Sequence, residues 1–186
     1  MSEIKKYMKL KLLTLSLVVF AASCVSKEED STENSPSNEA AVSQAPAAPQ
    51  TSEVSFKNLK GELVNLASLS DKVVFINFWA TWCGPCIKEM PSLQAFYNKY
   101  QGNPNVEFLV VEIDNRPDLA QKFVEEHNFT FPIYSPGSAV PETMLGQAVP
   151  TTVVLDRKGN IAYRHEGMSD FVSQDFVNLF EGILAK

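Results

Sequence analysis

Cysteine and histidine are scarce in this chain, which contains three cysteines and two histidines among 186 residues. A structural zinc site takes four ligands, most often Cys or His side chains in paired motifs. Outside the pair Cys83 and Cys86, the candidate ligands are Cys24, His127 and His165, and each stands alone in the sequence. The sequence therefore predicts no metal site and no bound cofactor, and neither histidine is assigned to a functional site.

Lysine and arginine are also outnumbered by acidic residues. The chain has 16 Lys and Arg residues against 22 Asp and Glu, a net charge of −6, and without residues 1–23, which hold four lysines and one glutamate, the charge is −9. Nucleic-acid binding depends on basic side chains that neutralise phosphates. We therefore expect no nucleic acid as a partner, and any attachment to a membrane has to depend on lipid.

The apolar run at residues 12–22 is too short to span a bilayer, which takes about 20 residues. Four lysines precede it, and this order is typical of a secretion signal. Small residues then lead into Cys24, and the segment resembles a bacterial lipoprotein cleavage and lipidation site. Ala21 stands where that pattern usually has Leu, so cleavage without lipidation stays open. We predict a signal peptide at residues 1–23 and lipidation of Cys24.

Residues 25–52 lack aromatic residues, Leu, Ile and Gly. Such a segment cannot bury a core, and we predict a disordered, lipid-anchored linker over residues 24–52. Its root-mean-square span is roughly 30 Å. Residues 25–30 also resemble an acidic signal of surface lipoproteins, so the periplasmic face and the cell surface both stay open. Residues 53–186 have the composition and length of one globular domain, expected to be monomeric.

The most informative motif is Trp82-Cys83-Gly84-Pro85-Cys86, which follows the apolar run at residues 73–80. A buried strand that ends in a turn before a helical pattern places Cys83 at a helix N-terminus. Unpaired N–H groups and the helix dipole stabilise a thiolate there, so the pKa of Cys83 should fall below the usual value of about 8.5. Covalent haem attachment is excluded because Ile87, not His, follows the second cysteine. A purely structural disulfide stays open.

Periodicity predicts an α/β chain with a mixed sheet and helices on both faces. The helix after Cys83 has an apolar stripe from Cys86 to Tyr100. The next helix, ending near His127, should turn Leu119 and Phe123 inward. The predicted strands lie near residues 54–56, 62–66, 73–80, 106–113, 151–155 and 161–164, and the last helix should bury Val172, Phe176, Leu179, Phe180 and Ile183.

Residues 78–86, Phe-Trp-Ala-Thr-Trp-Cys-Gly-Pro-Cys, continue into Ile-Lys-Glu-Met-Pro at 87–91. This stretch resembles the TlpA/ResA-like thiol-disulfide oxidoreductases of the cell envelope, and the resemblance extends from Glu53 to the C-terminus. It implies a thioredoxin fold, a central mixed β-sheet flanked by helices, with an N-terminal β extension and a strand-helix insertion. It also implies that the Val149–Pro150 bond is cis and that this loop packs against the cysteine pair.

The resemblance further implies a reaction. Cys83 attacks a disulfide in an exported protein, Cys86 resolves the mixed disulfide, and a membrane thiol carrier restores the dithiol. Apocytochrome c is a frequent substrate in the family, although no residue of this chain singles it out. Val149, beside Pro150, is expected to pair with an extended substrate chain.

Three neighbours of the cysteines complete the predicted substrate site. Trp82 should offer an apolar surface beside Cys83, whereas Trp79 belongs to the core. Gly84 and Pro85 are the dipeptide of thioredoxin, whose reduction potential lies near −270 mV, and they favour a reductase over an oxidase or isomerase.

The proton acceptor is expected to differ from that of thioredoxin, which has a buried Asp where this chain has Asn77. A neutral amide cannot take the proton of Cys86. Glu89, three residues after Cys86 on the same helix, occupies the position of a Glu in the TlpA/ResA-like pattern, and a raised pKa would suit it to this task. The alternative, a solvated Glu beside Lys88, stays open.

Two functions of other classes stay open at this stage. In the first, the cysteines only fold the loop of a non-catalytic binding module. In the second, the dithiolate delivers Cu(I), which soft sulfur ligands suit, although no cluster of Met or His accompanies the pair.

Overall fold

The computed structural model describes Thr51 and residues 53–186. The predicted signal peptide, Cys24 and the predicted linker, apart from Thr51, lie outside the described residues. The elements are β1 (Ser55–Asn58), β2 (Leu63–Asn65), a 3-10 helix (Leu66–Leu69), β3 (Val73–Trp79), α1 (Gly84–Tyr100), β4 (Val106–Glu112), α2 (Pro117–Glu126), β5 (Ile133–Pro136), β6 (Thr151–Leu155), β7 (Ile161–Glu166) and α3 (Gln174–Leu184).

The seven strands form one sheet in the order β2-β1-β5-β4-β3-β6-β7. Strand β4 runs parallel to β3 and β5, and the remaining pairs are antiparallel. All seven residues of β3 are buried, because both faces of this strand are covered. The predicted mixed sheet flanked by helices is confirmed. It carries β1 and β2 as the N-terminal extension, with α2 and β5 added between β4 and β6.

The helices cover one face of the sheet. Their buried side chains join a single core cluster with alternate residues of β3, and its centre is aromatic: Phe75, Phe96, Phe108, Phe171, Phe176 and Phe180. We expected helices on the other face as well. That face is instead covered by the 3-10 helix and by the segment 137–148, from which Met144 is fully buried.

Two helical faces differ from the sequence prediction. In α2, Leu119 is 39% exposed, whereas Ala120 and Val124 are buried. Val172 precedes α3 and is 52% exposed, while Phe176 is buried as predicted. A short amphipathic helix can rotate by part of a turn without losing its apolar pattern, so the packing partner sets its orientation.

Thr51, the first described residue, packs against the globular domain. Its hydroxyl donates to the carbonyl oxygen of Gly159 at 2.7 Å, and the side chain is buried. Among the described residues, no helix is both long and apolar enough to cross a membrane.

Candidate active site

Cys83 lies where the buried strand β3 ends and α1 begins. It is the N-cap residue of α1, with extended backbone angles, and its sulfur accepts a hydrogen bond from the backbone N–H of Cys86 at 3.2 Å. Pro85 occupies the first turn, where the missing N–H has no intrahelical partner to lose. The sequence prediction that Cys83 lies at the N-terminus of this helix is confirmed.

Cys83 and Cys86 form a disulfide, with their Cα atoms 5.2 Å apart. Cys86 is completely buried and Cys83 keeps 4% of its surface exposed. An incoming thiol can therefore approach the disulfide only from the Cys83 side. The first turn of α1 also directs free N–H groups and the positive end of the helix dipole toward this sulfur.

The loop before β6 packs directly on the cysteine pair. The Val149–Pro150 bond is cis, which confirms the prediction. The carbonyl oxygen of Val149 lies 3.6 Å from Cys83 Sγ. The structure thus places next to each other two segments that are more than sixty residues apart in the sequence, as the family resemblance implies.

An open groove of about 370 Å³ lies beside the disulfide. Met168, which is 55% exposed, forms part of its wall. The backbone N–H of Gly167 donates to the carbonyl oxygen of Pro150 at 2.8 Å and joins the two sides. The lining residues are Pro85, Lys88, Val149, Pro150, Gly167 and Met168. Sequence analysis missed Gly167 and Met168, and no local motif marks them.

Trp82 is 67% exposed, and Trp79 is buried in the core as predicted. The indole Nε1–H of Trp82 donates to Asp114 Oδ2 at 2.6 Å. Asp114 follows β4, and Glu112 orients this turn by accepting the backbone N–H groups of Asp114 and Arg116. The large apolar ring is therefore held in place next to Cys83 although it faces solvent.

Glu89 is 2% exposed, so the interpretation of this residue as a solvated surface Glu is wrong. Its Oε1 accepts from Asn77 Nδ2 at 2.9 Å, and its Oε2 accepts from the backbone N–H of Ser169 at 2.9 Å. Burial removes the carboxylate from water and raises its pKa to about 7, an effect that the two hydrogen bonds oppose only in part. Glu89 therefore changes charge near neutral pH.

Among the described residues, neither histidine forms a hydrogen bond with Cys83, Trp82 or Glu89. His127 ends α2, where its Nδ1 lies 2.8 Å from the carbonyl oxygen of Phe123, and His165 pairs with Thr152 across β7 and β6. Within the part of the chain that the structure describes, no group of three or more His, Cys, Asp or Glu side chains could hold a metal ion.

A thioredoxin-like sheet with a Cys-x-x-Cys disulfide at the start of a helix, beside a cis-proline loop, defines the class of thiol-disulfide oxidoreductases. Residues 41–175 match the Redoxin family. The chain is also 34% identical over 142 residues to the thiol-disulfide oxidoreductase ResA of Halalkalibacterium halodurans, over 75% of this chain and 80% of that protein. The chain belongs to the redoxin family and is a TlpA/ResA-like thioredoxin-fold oxidoreductase.

Solved structures agree with this assignment. A DsbF homologue from Corynebacterium diphtheriae is similar with a TM-score of 0.55 and 29% identity, over 70% of this chain and 85% of that one. A thiol:disulfide interchange protein of the thioredoxin family from Chlorobium tepidum has a TM-score of 0.57 at 23% identity, over 75% and 99% of the two chains. The second similarity shows the fold alone.

The buried carboxyl group of Glu89 makes stability depend on pH. Its pKa is about 7 in the folded protein against about 4.5 in the unfolded chain, so unfolding releases its proton between these values. This contribution to stability is complete below pH 4.5 and is lost as the pH rises through 7. We predict that the free energy of unfolding of Glu89→Gln, relative to wild type, increases by roughly 3 kcal/mol across this window.

Urea denaturation of the oxidised protein from pH 4 to 8 measures this difference. Glu53→Gln, at an exposed position, provides the matched control for loss of one carboxylate. A difference between Glu89→Gln and wild type that stays constant over this range would contradict the prediction.

Proposed function

We propose that this chain is an exported, membrane-tethered reductase of protein disulfides that acts through Cys83 and Cys86. The observation that carries the proposal is the disulfide at the N-terminus of α1, opening beside the Val149 carbonyl onto a groove. Reduction of a disulfide requires an accessible sulfur, a second thiol to resolve the intermediate and a surface for the substrate. This arrangement can supply all three.

The reaction starts from the dithiol. The Cys83 thiolate attacks one sulfur of the substrate disulfide, forming a mixed disulfide and releasing the other substrate sulfur as a thiolate. Cys86 then gives up its proton and attacks Cys83 Sγ, which restores the Cys83–Cys86 disulfide and releases the second substrate thiolate. Two electrons pass to the substrate. The burial of Cys86 supports the assignment of Cys83 as the attacking thiol.

Glu89 is the proposed acceptor of the Cys86 proton. It lies three residues further along α1, hence on the same side of the helix, and its pKa of about 7 matches proton transfer at neutral pH. Asn77, which occupies the thioredoxin Asp position, cannot take this proton.

Substrate would bind in the groove as an extended segment. The backbone of the half-buried Val149 would offer hydrogen-bonding groups, while Trp82, Gly84, Pro85 and Pro150 would surround the reacting sulfur. The exposed indole ring and the Met168 side chain supply apolar contact area. The proposed substrates are exported proteins that contain disulfides, apocytochrome c among them.

The N-terminal sequence supports the location that we propose. The signal peptide at residues 1–23 directs export, lipid on Cys24 anchors the chain, and the linker places the domain at the outer side of a membrane. A thiol carrier in that membrane would restore the dithiol after each turnover. The remaining choice lies between the periplasmic face and the cell surface.

The Cys86→Ser variant, expressed in the native host, tests the proposed reaction. Because resolution is blocked, substrates should stay attached to Cys83 as mixed disulfides that dithiothreitol releases, and mass spectrometry would identify them as exported proteins. The double variant Cys83→Ser/Cys86→Ser is the control, since it keeps Cys24 but lacks the attacking thiol. Equal capture by both variants, or none by either, would contradict catalysis.

The direction of electron flow is tested by equilibrating the purified chain with glutathione buffers. The Gly84-Pro85 dipeptide predicts a potential closer to the −270 mV of thioredoxin than to the −120 mV of DsbA. Alkylation followed by mass spectrometry measures the dithiol fraction, with Cys83→Ser as the variant that cannot close the disulfide. A potential above roughly −180 mV would identify an isomerase or oxidase instead.

Lipid anchoring is tested by fractionation of the native host. Cys24→Ser should move the protein from the membrane fraction to the soluble exported fraction, because the acyl chains are lost. Cys83→Ser makes the same chemical change within the domain and should stay in the membrane fraction. Retention of Cys24→Ser in the membrane would show that another segment holds the protein there.

A further inference from the structure

Asn77 lies in the middle of β3, on the face that carries the helices, and is completely buried. Its side-chain amide stands between two hydrogen-bonding groups. Nδ2 donates to Glu89 Oε1 at 2.9 Å and to Thr152 Oγ1 at 3.3 Å. The other half of the amide, Oδ1, has no hydrogen-bond partner among the described residues. A buried acceptor without a partner is unfavourable, because the hydrogen bonds that it made to water are lost and not replaced.

The two partners of Glu89 differ in what they can do when the carboxyl group gains a proton. Oε2 faces the backbone N–H of Ser169, which can only donate. Oε1 faces the side-chain amide of Asn77, which carries an acceptor as well as a donor. In the present orientation, a proton on Oε1 would face the Nδ2 donor of Asn77. A half-turn of the amide would place the Oδ1 acceptor opposite that proton instead.

We propose that the Asn77 amide reverses when Glu89 gains or loses its proton, so that one side chain supports both charge states of the carboxyl group. This proposal rests on the proposed role of Glu89 as proton acceptor. The proton leaves Cys86 Sγ and binds Glu89 Oε1, and the new O–H donates to Asn77 Oδ1. Only an S–H bond is broken and only an O–H bond is formed, so Asn77 is a positioning residue.

Thr152 can follow the same reversal. Its hydroxyl accepts from Asn77 Nδ2 when Glu89 is charged, and a hydroxyl can equally donate. After the half-turn it would donate to Oδ1, which then has two donors. The Ser169 contact to Oε2 is retained in both states. After the half-turn, Nδ2 occupies the place of Oδ1, so within the described part of the chain one half of the amide has no partner in either charge state and only the half that faces Glu89 and Thr152 changes.

Among the described residues, no charged side chain is hydrogen-bonded to Glu89, so the Asn77 amide is the partner that can respond to a change in its charge. Its two direct partners are neutral. Burial raises the pKa of Tyr163, on β7, so this side chain stays uncharged at neutral pH. Lys88 and Asp170 are the charged residues next to Glu89 and Ser169 in the sequence, and both are exposed. Two titratable neighbours remain: Cys86, one turn earlier on α1, and the exposed His165, which pairs with Thr152 across β6 and β7.

Nuclear magnetic resonance of the reduced full chain tests the reversal directly. In a Cys24→Ser background, Cys83 and Cys86 are the only thiols. The Glu89 carboxyl carbon reports the charge of Glu89, and nuclear Overhauser effects between the Asn77 NH₂ and the Thr152 methyl group report the amide orientation. We expect these effects to weaken at least several-fold on acidification, with the same midpoint as the Glu89 carbon. Effects of constant intensity through the Glu89 titration would overturn the proposal.

Asn77→Asp tests the consequence for proton transfer. A carboxylate at this position can accept a hydrogen bond but cannot donate one, so it stabilises only the protonated form of Glu89 and raises its pKa. A symmetric chromogenic aryl disulfide releases one thiolate on attack by Cys83 and the second on resolution by Cys86. The pH midpoint of the second release should rise by about one pH unit or more.

Because the Asp of thioredoxin at this position takes the proton itself, Asn77→Asp/Glu89→Gln is measured in parallel. Its second release should be at least tenfold slower than that of Asn77→Asp, which would show that the new carboxylate does not replace Glu89.

Asn98→Asp is the matched control, because it places the same new charge on the exposed face of α1. Its midpoint should equal that of wild type. Equal midpoints for Asn77→Asp and Asn98→Asp would overturn the role of Asn77, while the resonance titration, done on the native Asn77, does not depend on the folding of the variant. A chain that shows the amide reversal but releases no second thiolate would refute the proposed function and leave the reversal standing.

Discussion

The junction between β3 and α1 is the constraint on which the rest of the site depends. Strand β3 is buried on both faces, and this packing holds the end of the strand in place. Cys83 follows that end and is therefore held at the N-cap position of α1. The same strand pairs with β6 on one side, so the loop that ends at Pro150 is carried to within 3.6 Å of Cys83 Sγ through Val149. Cys83 and the backbone that is proposed to bind substrate are thus positioned by one set of sheet hydrogen bonds.

Burial at this junction also sets the chemistry. The surroundings that hold the disulfide enclose Glu89, whose carboxylate receives two neutral hydrogen bonds and no salt bridge among the described residues. Two such bonds replace only part of the hydration that is lost, and the pKa rises to about 7. The fold therefore holds a carboxyl group with a strongly raised pKa one helical turn from Cys86, and such shifts are typical of functional sites.

The cysteine pair, the strand before it and the mixed sheet could be predicted from sequence because each leaves a local signal, such as an apolar run or a helical stripe. Met168 could not, since its position beside Pro85 depends on how the chain returns from β7 toward α1. Leu119 was misplaced because the apolar pattern of α2 fits more than one rotation, and contacts such as that of Phe123 with Trp79 select one. The burial of Glu89 likewise required the tertiary fold, because Lys88 beside it is exposed.

Glu89 lies on α1, close to Cys86, and its carboxylate also contacts the chain segment that forms one wall of the groove. Spacing along one helix fixes Glu89 relative to Cys86, independently of how the sheet packs. Its second oxygen binds the backbone of Ser169, while the N–H of Gly167 binds Pro150, so Met168 lies between two anchored neighbours. The anchor at Gly167 is uncharged backbone, whereas the one at Ser169 is strongest when Glu89 is ionised. Glu89, the proposed proton acceptor, and the wall of the groove are therefore joined through one short backbone segment, residues 167–169.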